Sequence, residues 1–450
     1  MFLSESYKQK VKQTLTLALP IVTGQLGQVL MGFFDTLQIG GLGHEYIAAS
    51  GFVNGIFWAI ILGGIGTLFS IAPLVSESFG EKNGHKSVGV LHSGLLVSAV
   101  MSVLFMVGIE ILARNLAIFQ HSETDTVLGA KFLHVVNYST PSIFFFVAAK
   151  QFLDGMGKTK IGMQITIAGL LLSIFLNWVL IYGKLGFPRL EIEGAAWSNT
   201  IARTLMAIAV LIYIWRSDEI RNLRKQFAES AESFRKYIIP ILTIGIPTGF
   251  QFFCEVAAFS GGQIMSGWIS VEAEAAHLIA LSMASVTFMV LTGFSAAGSI
   301  MIGFAYGERN KQGIYESFKT VMGITVLVEL VFVALLIGFR HFLPPFYTDN
   351  SEVLTMAASM LIFAAFFQLS DGTQSVASGA LRGVQDTRIP AIIAFVAYWG
   401  LMIPLGYILA FSMGLGLKGI WISFLTGLSF AALLLIWRFL NTVKNLDWEN

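Results

Sequence analysis

The chain has 450 residues, of which 55% are apolar or aromatic and only 12% are charged, and its mean hydropathy is +0.73. Because an ordinary soluble domain carries about 25% charged residues, this composition excludes a water-soluble globular protein. The net charge is +1 and the basic residues are scattered, so no nucleic-acid partner is expected. The single cysteine, Cys254, excludes a disulfide framework and a thiolate metal cluster.

Twelve long apolar stretches follow one another along the chain, separated by short clusters of glycine, basic residues, asparagine or proline. Each is long enough to cross a bilayer, which takes about 20 apolar residues. Their continuous apolar character differs from the alternation of an outer-membrane barrel. The pattern predicts an all-α integral membrane protein with twelve transmembrane helices. The predicted spans 1 to 12 are 14–40, 46–76, 86–112, 125–153, 161–183, 193–215, 237–266, 273–305, 314–339, 352–380, 389–412 and 418–440.

The sequence repeats itself at a distance of about half its length. A shift of 227 residues places Pro20 on Pro247 and the loop 79–83 on 306–310, and a shift of 228 places Gly155 on Gly383. Since each half then holds six spans, the repeats are parallel and related by an axis along the membrane normal, with a cleft expected on that axis. The predicted domains are an N-terminal lobe at 1–215, a cytoplasmic linker at 216–236 and a C-terminal lobe at 237–450.

The distribution of positive charge predicts the orientation in the membrane. With twelve spans both termini lie on one side, and that side collects the basic N-terminus together with the charged linker, while the opposite loops hold few basic residues. Cytoplasmic loops of membrane proteins carry the excess of lysine and arginine. We therefore expect a multi-pass protein of the cell (inner) membrane with both termini in the cytoplasm.

Three carboxylates fall deep inside predicted spans: Asp35 in span 1, Glu255 in span 7 and Asp371 in span 10. Each costs roughly 2.5–3.5 kcal/mol at the centre of a membrane helix, so such a residue is a functional hypothesis by default. Neutral amides would form interhelical hydrogen bonds at a lower cost. The alternative is that the three acids serve only to hold the bundle together.

Helical spacing places further oxygen-bearing side chains on the same faces as these acids. Such faces suit a hard cation such as sodium, or a proton. The faces pair Gln28 with Asp35, Gln251 with Glu255, and Gln374 with Asp371.

A second polar pocket is predicted around the acid of span 1. Asn177, Asn199 and Thr200 lie in spans 5 and 6 and would join Asp35 there, although packing hydrogen bonds explain them about equally well. Lys150 and Arg203 also lie inside spans, and both side chains are long enough to snorkel to the surface or to pair with a carboxylate.

Aromatic residues surround the acids of spans 7 and 10 in the sequence. Phe253, Phe288 and Phe367 lie within a turn of Glu255 or Asp371, or on span 8. Aromatic faces beside carboxylates would hold an organic cation, with Gln251 and Gln374 as further substrate contacts. Ordinary packing is the alternative role for each ring.

Enzymatic chemistry is not expected. The histidines show no metal-ligand spacing, and no nucleophile with a base, or set of metal ligands, occurs on facing spans. No cofactor is expected beyond a coupling ion.

Several segments together resemble the multidrug and toxic compound extrusion (MATE) family, NorM-like branch, and the resemblance covers essentially the whole chain. It implies two six-helix lobes around a V-shaped cleft and export of organic cations in exchange for sodium or protons. The segments are Met31-Gly32-Phe33-Phe34-Asp35-Thr36, Phe253-Cys254-Glu255-Val256, Gln368-Leu369-Ser370-Asp371, the stretch 379–388, and Ala397-Tyr398-Trp399 with Pro404 and Gly406-Tyr407.

The resemblance also implies roles for particular residues. The coupling-ion site of that branch lies in the C-terminal lobe, which makes Glu255 and Asp371 the expected ligands of Na+ or H+. Asp35 matches the functional acid of the first helix, and Asn177 matches the asparagine of the fifth. The branch commonly has a tyrosine four residues before the aspartate of helix 10. Phe367 stands there instead, which removes one oxygen ligand and leaves a cation–π contact.

We therefore expect a monomeric antiporter whose partners are small organic cations and the lipid bilayer. The alternative is a flippase for a lipid or a lipid-linked sugar of the same superfamily. An anionic pyrophosphate cargo would require a cluster of basic residues in the cleft, and only Lys150 and Arg203 are available.

Overall fold

The structure, a computed structural model, describes residues 5–116, 123–230 and 232–448. These residues form helices and no strands. Eleven helices among them are long and apolar enough to cross a membrane, and a bent pair, 127–137 with 140–155, forms a twelfth crossing. The predicted all-α fold with twelve membrane-crossing segments is confirmed.

The chain divides into two compact units. The N unit comprises residues 23–249, and the C unit comprises residues 1–22 together with 250–450. The helices that begin before residue 230 are α1 Glu5–Gly40, α2 His44–Leu68, α3 Ile71–Gly80, α4 Lys86–Arg114, α5 Glu123–Asn137, α6 Thr140–Gly155, α7 Thr159–Tyr182, α8 Glu191–Arg216 and α9 Asp218–Glu229.

The later part of the chain begins with a short 3-10 turn and continues with long helices. A π-helical turn occurs on each side of the short helix α15, within the last crossing but one. The elements are a 3-10 turn at Phe234–Tyr237, α10 Ile238–Ile269, α11 Val271–Gly307, α12 Lys311–Gly338, a 3-10 turn at Pro344–Phe346, α13 Ser351–Gly383, α14 Arg388–Phe395, a π turn at Val396–Met402, α15 Ile403–Tyr407, a π turn at Ile408–Ser412 and α16 Leu417–Lys444.

The division between the units falls inside α1 and α10, two residues after a proline in each helix. Pro20 and Pro247 are the internal prolines of these helices, and the boundaries lie after residues 22 and 249. An internal proline removes one backbone hydrogen bond and bends the helix. The lobes at 1–215 and 237–450 describe the order of the spans and stay a prediction.

Two predicted spans are interrupted in the structure. Span 2 breaks between α2 and α3, where Pro73 follows two residues after the start of α3, and span 4 breaks between α5 and α6, where Pro141 is in the first turn of α6. In a continuous helix each proline ring would clash with the carbonyl four residues earlier. The bend in span 4 is 44°.

The internal repeat is visible in how close helices pack. In the N unit the Gly155 backbone lies against Val75, where any side chain would clash, and in the C unit Gly383 lies against Ile302 in the same way. The two pairs are separated by 228 and 227 residues. The predicted repeat therefore preserves contacts as well as sequence.

The loops that close these contacts also repeat their backbone conformation. Lys82 has a φ of 57° and Arg309, its equivalent at a shift of 227, has a φ of 55°. Residues other than glycine seldom adopt this left-handed conformation. Its occurrence at both equivalent positions indicates that the two halves follow the same path.

Candidate functional site

In the N unit, the Asp35 carboxylate is enclosed by hydrogen-bond donors. Its side chain is 8% exposed. Asn177 Nδ2 donates to Oδ1 at 2.5 Å, Asn199 Nδ2 donates to Oδ2 at 2.8 Å, and Ser173 Oγ donates to Oδ1 at 3.5 Å. Helices α7 and α8 thus supply donors to both oxygens of an acid on α1, which is the arrangement that a buried carboxylate requires.

The predicted second pocket is only partly present. Asn177 and Asn199 contact Asp35, whereas Thr200 donates to the carbonyls of Ala196 and Val135. Thr200 follows Asn199 by one residue, which turns its side chain about 100° around α8. The inclusion of Thr200 in the pocket is therefore wrong.

Gln28 does not belong to this pocket either, because its side chain is exposed. It precedes Asp35 by seven residues, which is about two helical turns or roughly 10 Å along α1. Spacing on one face is thus a weaker statement than contact.

The two basic residues inside the N unit both have partners. Lys150 Nζ lies 2.7 Å from Asp154 Oδ2 in a buried ion pair within α6. The Arg203 guanidinium donates to Ser139 Oγ at 3.0 Å and lies 5.2 Å from the ring centre of Trp58. The prediction that such residues pair with a carboxylate is confirmed for Lys150.

In the C unit, Glu255 on α10 and Asp371 on α13 are 6% and 2% exposed. The charges of the two carboxylates act on each other. The side chains of Gln374 and Tyr398 adjoin Glu255, and Gln374 Nε2 donates to Tyr398 Oη at 2.9 Å. Tyr398 lies in the first π turn, a kind of helix irregularity that is frequent at functional sites.

The polar faces predicted on spans 7 and 10 are buried against each other. Gln251 and Ser378 are joined by a hydrogen bond in which Ser378 Oγ donates to Gln251 Oε1 at 3.0 Å. Gln374 and Ser375 are also buried on this side of α13. Amide and hydroxyl oxygens therefore accompany the two carboxylates between α10 and α13.

The two acids of the C unit have no basic partner. No lysine, arginine or histidine in the described parts of the chain forms an ion pair with Glu255 or Asp371. Asp371 Oδ1 is buried and accepts no hydrogen bond, although the charge of Arg382 acts on Glu255 from further along α13. A small cation, whether Na+ or H+, would satisfy this arrangement of acceptors.

No group of three or more acidic, histidine or cysteine side chains in the described residues has the geometry of a metal site. A bound sodium ion would therefore need the Glu255 and Asp371 carboxylates together with neutral oxygens such as those of Gln374. A proton would need one carboxylate only.

The aromatic residues proposed as cation–π partners occupy different environments. Phe367 is buried, with its ring centre 5.8 Å from those of Phe259 and Trp421. Phe253 is 50% exposed and follows two residues before Glu255, so it points to the other side of α10. Phe288 is half-buried on α11. The structure shows packing contacts for Phe367, and it places Phe253 away from the carboxylate.

A fourth buried carboxylate, Glu329 on α12, is absent from the predicted set. It is fully buried, and neither carboxylate oxygen accepts a hydrogen bond. The signal that identified the other three acids was present here also, because Glu329 is the only acid in the apolar part of span 9.

Twelve membrane crossings in two matching halves, with acids buried inside each half, define a multi-pass membrane transporter built by duplication. The MatE family model matches residues 20–179 and again 247–408, once in each half of the sequence. The chain belongs to this family, and the predicted resemblance is confirmed.

Bacterial relatives are similar over nearly their whole length. The chain is 31% identical over 440 residues to "Multidrug resistance protein NorM" of Photobacterium profundum, covering 96% of each chain. It is 32% identical over 437 residues to the protein of the same name from Vibrio cholerae, covering 95% of each chain.

Solved structures of transporters share the fold. The eukaryotic MATE transporter AtDTX14 superposes with a TM-score of 0.89 at 18% identity, covering 99% of this chain and 98% of that one. An outward-facing MATE family transporter of the MOP superfamily gives a TM-score of 0.88 at 19% identity, covering 99% of both chains.

Proposed function

We propose that the protein is a cation-coupled antiporter that exports organic cations from the cytoplasm in exchange for Na+ or H+. The relatives named as multidrug resistance proteins support export of drug-like compounds. The observation that carries the coupling is the pair of buried carboxylates, Glu255 and Asp371, without a basic partner. The protein would lie in the cell (inner) membrane with both termini in the cytoplasm, as the distribution of basic residues favours.

Competition for the same acids would couple the two fluxes. A sodium ion or proton that neutralises Glu255 and Asp371 weakens their attraction for a cationic substrate, which then leaves on the outer side. Loss of the ion to the cytoplasm restores the negative charge and the affinity for a new substrate. Such a cycle works only if each ligand binds the two conformations with different affinity.

The contacts of the basic residues favour an organic cation over an anionic cargo. Of the two residues available to a lipid pyrophosphate, Lys150 is paired with Asp154, and Arg203 is stacked beside Trp58. No observation in the described structure favours the flippase.

Ethidium binding to the purified protein tests the competition directly. In the parent protein, added sodium or a lower pH should weaken ethidium binding. In Glu255→Gln the side chain keeps its shape and loses its charge, so the effect of both treatments should fall at least tenfold. Retained helical content and monodisperse elution would establish that the variant is folded.

Glu316→Gln is the matched control. Glu316 lies at the exposed start of α12, 3.6 Å from Lys10, and has no part in the proposed site. This variant should bind ethidium as the parent does, with the same response to sodium and pH. Parent-like competition in Glu255→Gln would contradict the proposed function.

A further inference from the structure

Glu329 is a buried acid in the middle of an otherwise apolar stretch of α12. Its side chain is fully inaccessible, and no group in the described chain donates a hydrogen bond to either carboxylate oxygen. Burial of a carboxylate without a donor or a counter-charge costs several kcal/mol. The site is therefore incomplete as it stands.

The position of this carboxylate is fixed by a glycine of the neighbouring helix. Glu329 Oε1 lies so close to Gly372 on α13 that a side chain at residue 372 would overlap it, and Leu291 of α11 closes the same space. Gly372 directly follows Asp371 in the sequence. The packing of α12 against α13 thus places a third carboxylate beside the pair formed by Glu255 and Asp371.

Electrostatics join the three acids into one cluster, because the charges of Glu255 and Glu329 both act on Asp371. Around them the buried polar atoms are mostly acceptors without donors. Asp371 Oδ1 and Gln374 Oε1 accept no hydrogen bond, and the hydroxyl of Thr325, one turn before Glu329, has no partner. A cluster rich in unpaired acceptors requires cations.

The described neighbouring helices supply little positive charge at this level. Arg382 of α13 acts on Glu255, and its guanidinium reaches Ser295 Oγ at 3.3 Å. The ionisable residues of α11 and α16 lie near the helix ends, and those of α12 lie in its first turns. They are Glu272, Glu274, His277 and Tyr306 on α11; Lys418, Arg438 and Lys444 on α16; and Lys311, Tyr315, Glu316 and Lys319 on α12.

Charge balance then sets the number of cations that the cluster takes. Three ionised carboxylates carry a charge of −3, and Arg382 contributes +1. A net charge of −2 remains inside a region that is closed to water. Because isolated buried charge is so unfavourable, two monovalent cations are needed to neutralise the cluster.

We propose that Glu329 forms a second cation site in the C unit, which binds one monovalent cation, a proton or Na+, in addition to the one held by Glu255 and Asp371. The inference rests on the proposed antiport and deepens it, because each transport cycle would then exchange two cations for one organic cation. The chemical class of the ligand is a monovalent cation, and the two sources differ in how they are detected.

Cation release from the purified protein measures this number without requiring transport. Saturating ethidium is added at constant pH, and released protons are counted with a pH-sensitive dye while displaced sodium is counted with the radioactive ion. The parent and Glu316→Gln should release about two cations per protein in total. Glu329→Gln should release about one, and the signal that is lost identifies the cation as proton or sodium.

If ethidium does not bind, sodium replaces it as the displacing ion, and the protons that it releases are counted in the same variants. Glu329→Gln should again release fewer protons than the parent. Equal release by Glu329→Gln and the parent would overturn the second site, as would no release from either. Unchanged ethidium competition in Glu255→Gln contradicts the antiport, whereas the count for Glu329→Gln decides the second site separately.

Discussion

The two units use buried acids in different ways. In the N unit, Asp35 has hydrogen-bond donors at both oxygens, supplied by Asn177, Asn199 and Ser173. In the C unit, Asp371 and Glu329 have buried oxygens with no donor at all. A carboxylate with fixed donors has little to gain from an ion, whereas one without them depends on a cation that comes and goes.

This difference arises although the two units share a frame. At a shift of 227 residues the position of Glu255 is occupied by Gln28 in the first half, and the position of Asp35 is occupied by Gly262 in the second. The duplication preserves the helix contacts near Gly155 and Gly383 but not the acids. The chemistry of each unit was therefore placed on the repeated fold independently.

Removal of the partner of Asp154 should turn a satisfied acid of the N unit into an unsatisfied one. Lys150→Met keeps the length of the side chain and leaves Asp154 buried without a counter-charge, so we expect a loss of about 3–5 kcal/mol in the free energy of unfolding. Unfolding in detergent measures it. Lys150→Met combined with Asp154→Leu should regain most of this loss. A double variant as unstable as Lys150→Met would show that the pair has another role.

Removal of one donor from Asp35 should have a smaller effect of the same kind. Asn177→Leu deletes the hydrogen bond to Oδ1 and leaves Asn199 and Ser173 in place, so we expect a destabilisation of about 2 kcal/mol. Gln374→Leu in the C unit should cost less, because Gln374 donates to Tyr398 and not to Asp371. The same unfolding measurement compares the two variants, and a larger loss for Gln374→Leu would reverse the contrast between the units.

Displacement of Glu329 tests the packing of the C unit. Gly372→Ala introduces a methyl group where Glu329 Oε1 lies, and such overpacking should cost about 1–2 kcal/mol. Because both changes act on the same contact, Gly372→Ala should become nearly harmless in a Glu329→Ala background. Additive losses in the double variant would mean that the two residues do not press on each other.

An acid outside the membrane-crossing segments provides the baseline for both units. The Tyr237 hydroxyl donates to Glu232 at 2.7 Å, and this hydrogen bond holds the pKa of Glu232 below its usual range. A lowered pKa stabilises the fold above the pKa of the unfolded chain, and that contribution disappears as the pH falls through the folded value. Tyr237→Phe should cost at most about 1 kcal/mol near pH 7. The difference should vanish at acidic pH, and a constant difference at all pH values would contradict this assignment.

Much of the fold follows from the sequence, because apolar runs of bilayer length leave few alternatives to helices. The repeat was also visible, since Pro20 and Pro247 and the loops at 79–83 and 306–310 match at one shift. The breaks in spans 2 and 4 were not predicted, although Pro73 and Pro141 mark them. Hydropathy averages over a window and is insensitive to a single residue that lacks a backbone donor.

The site was predicted less completely than the fold. Asp35 and its asparagines were found because acids and amides in apolar spans are conspicuous, whereas the placement of Thr200 and Gln28 depends on helix rotation and rise. The cost of an intramembrane charge identifies a residue, but its partners are set by helix packing that the sequence does not reveal. Glu329 shows that the same signal has to be applied to every span.

The central claim is that the acids of the C unit couple an ion to the substrate. Efflux of ethidium from proteoliposomes, driven by an imposed sodium gradient and separately by an imposed pH gradient, tests it most directly in Asp371→Asn. With the protein folded and inserted at the parent level, we predict that at least one gradient drives efflux in the parent and in Glu316→Gln, and that Asp371→Asn loses that efflux at least tenfold. Efflux by Asp371→Asn at the parent rate would contradict the account.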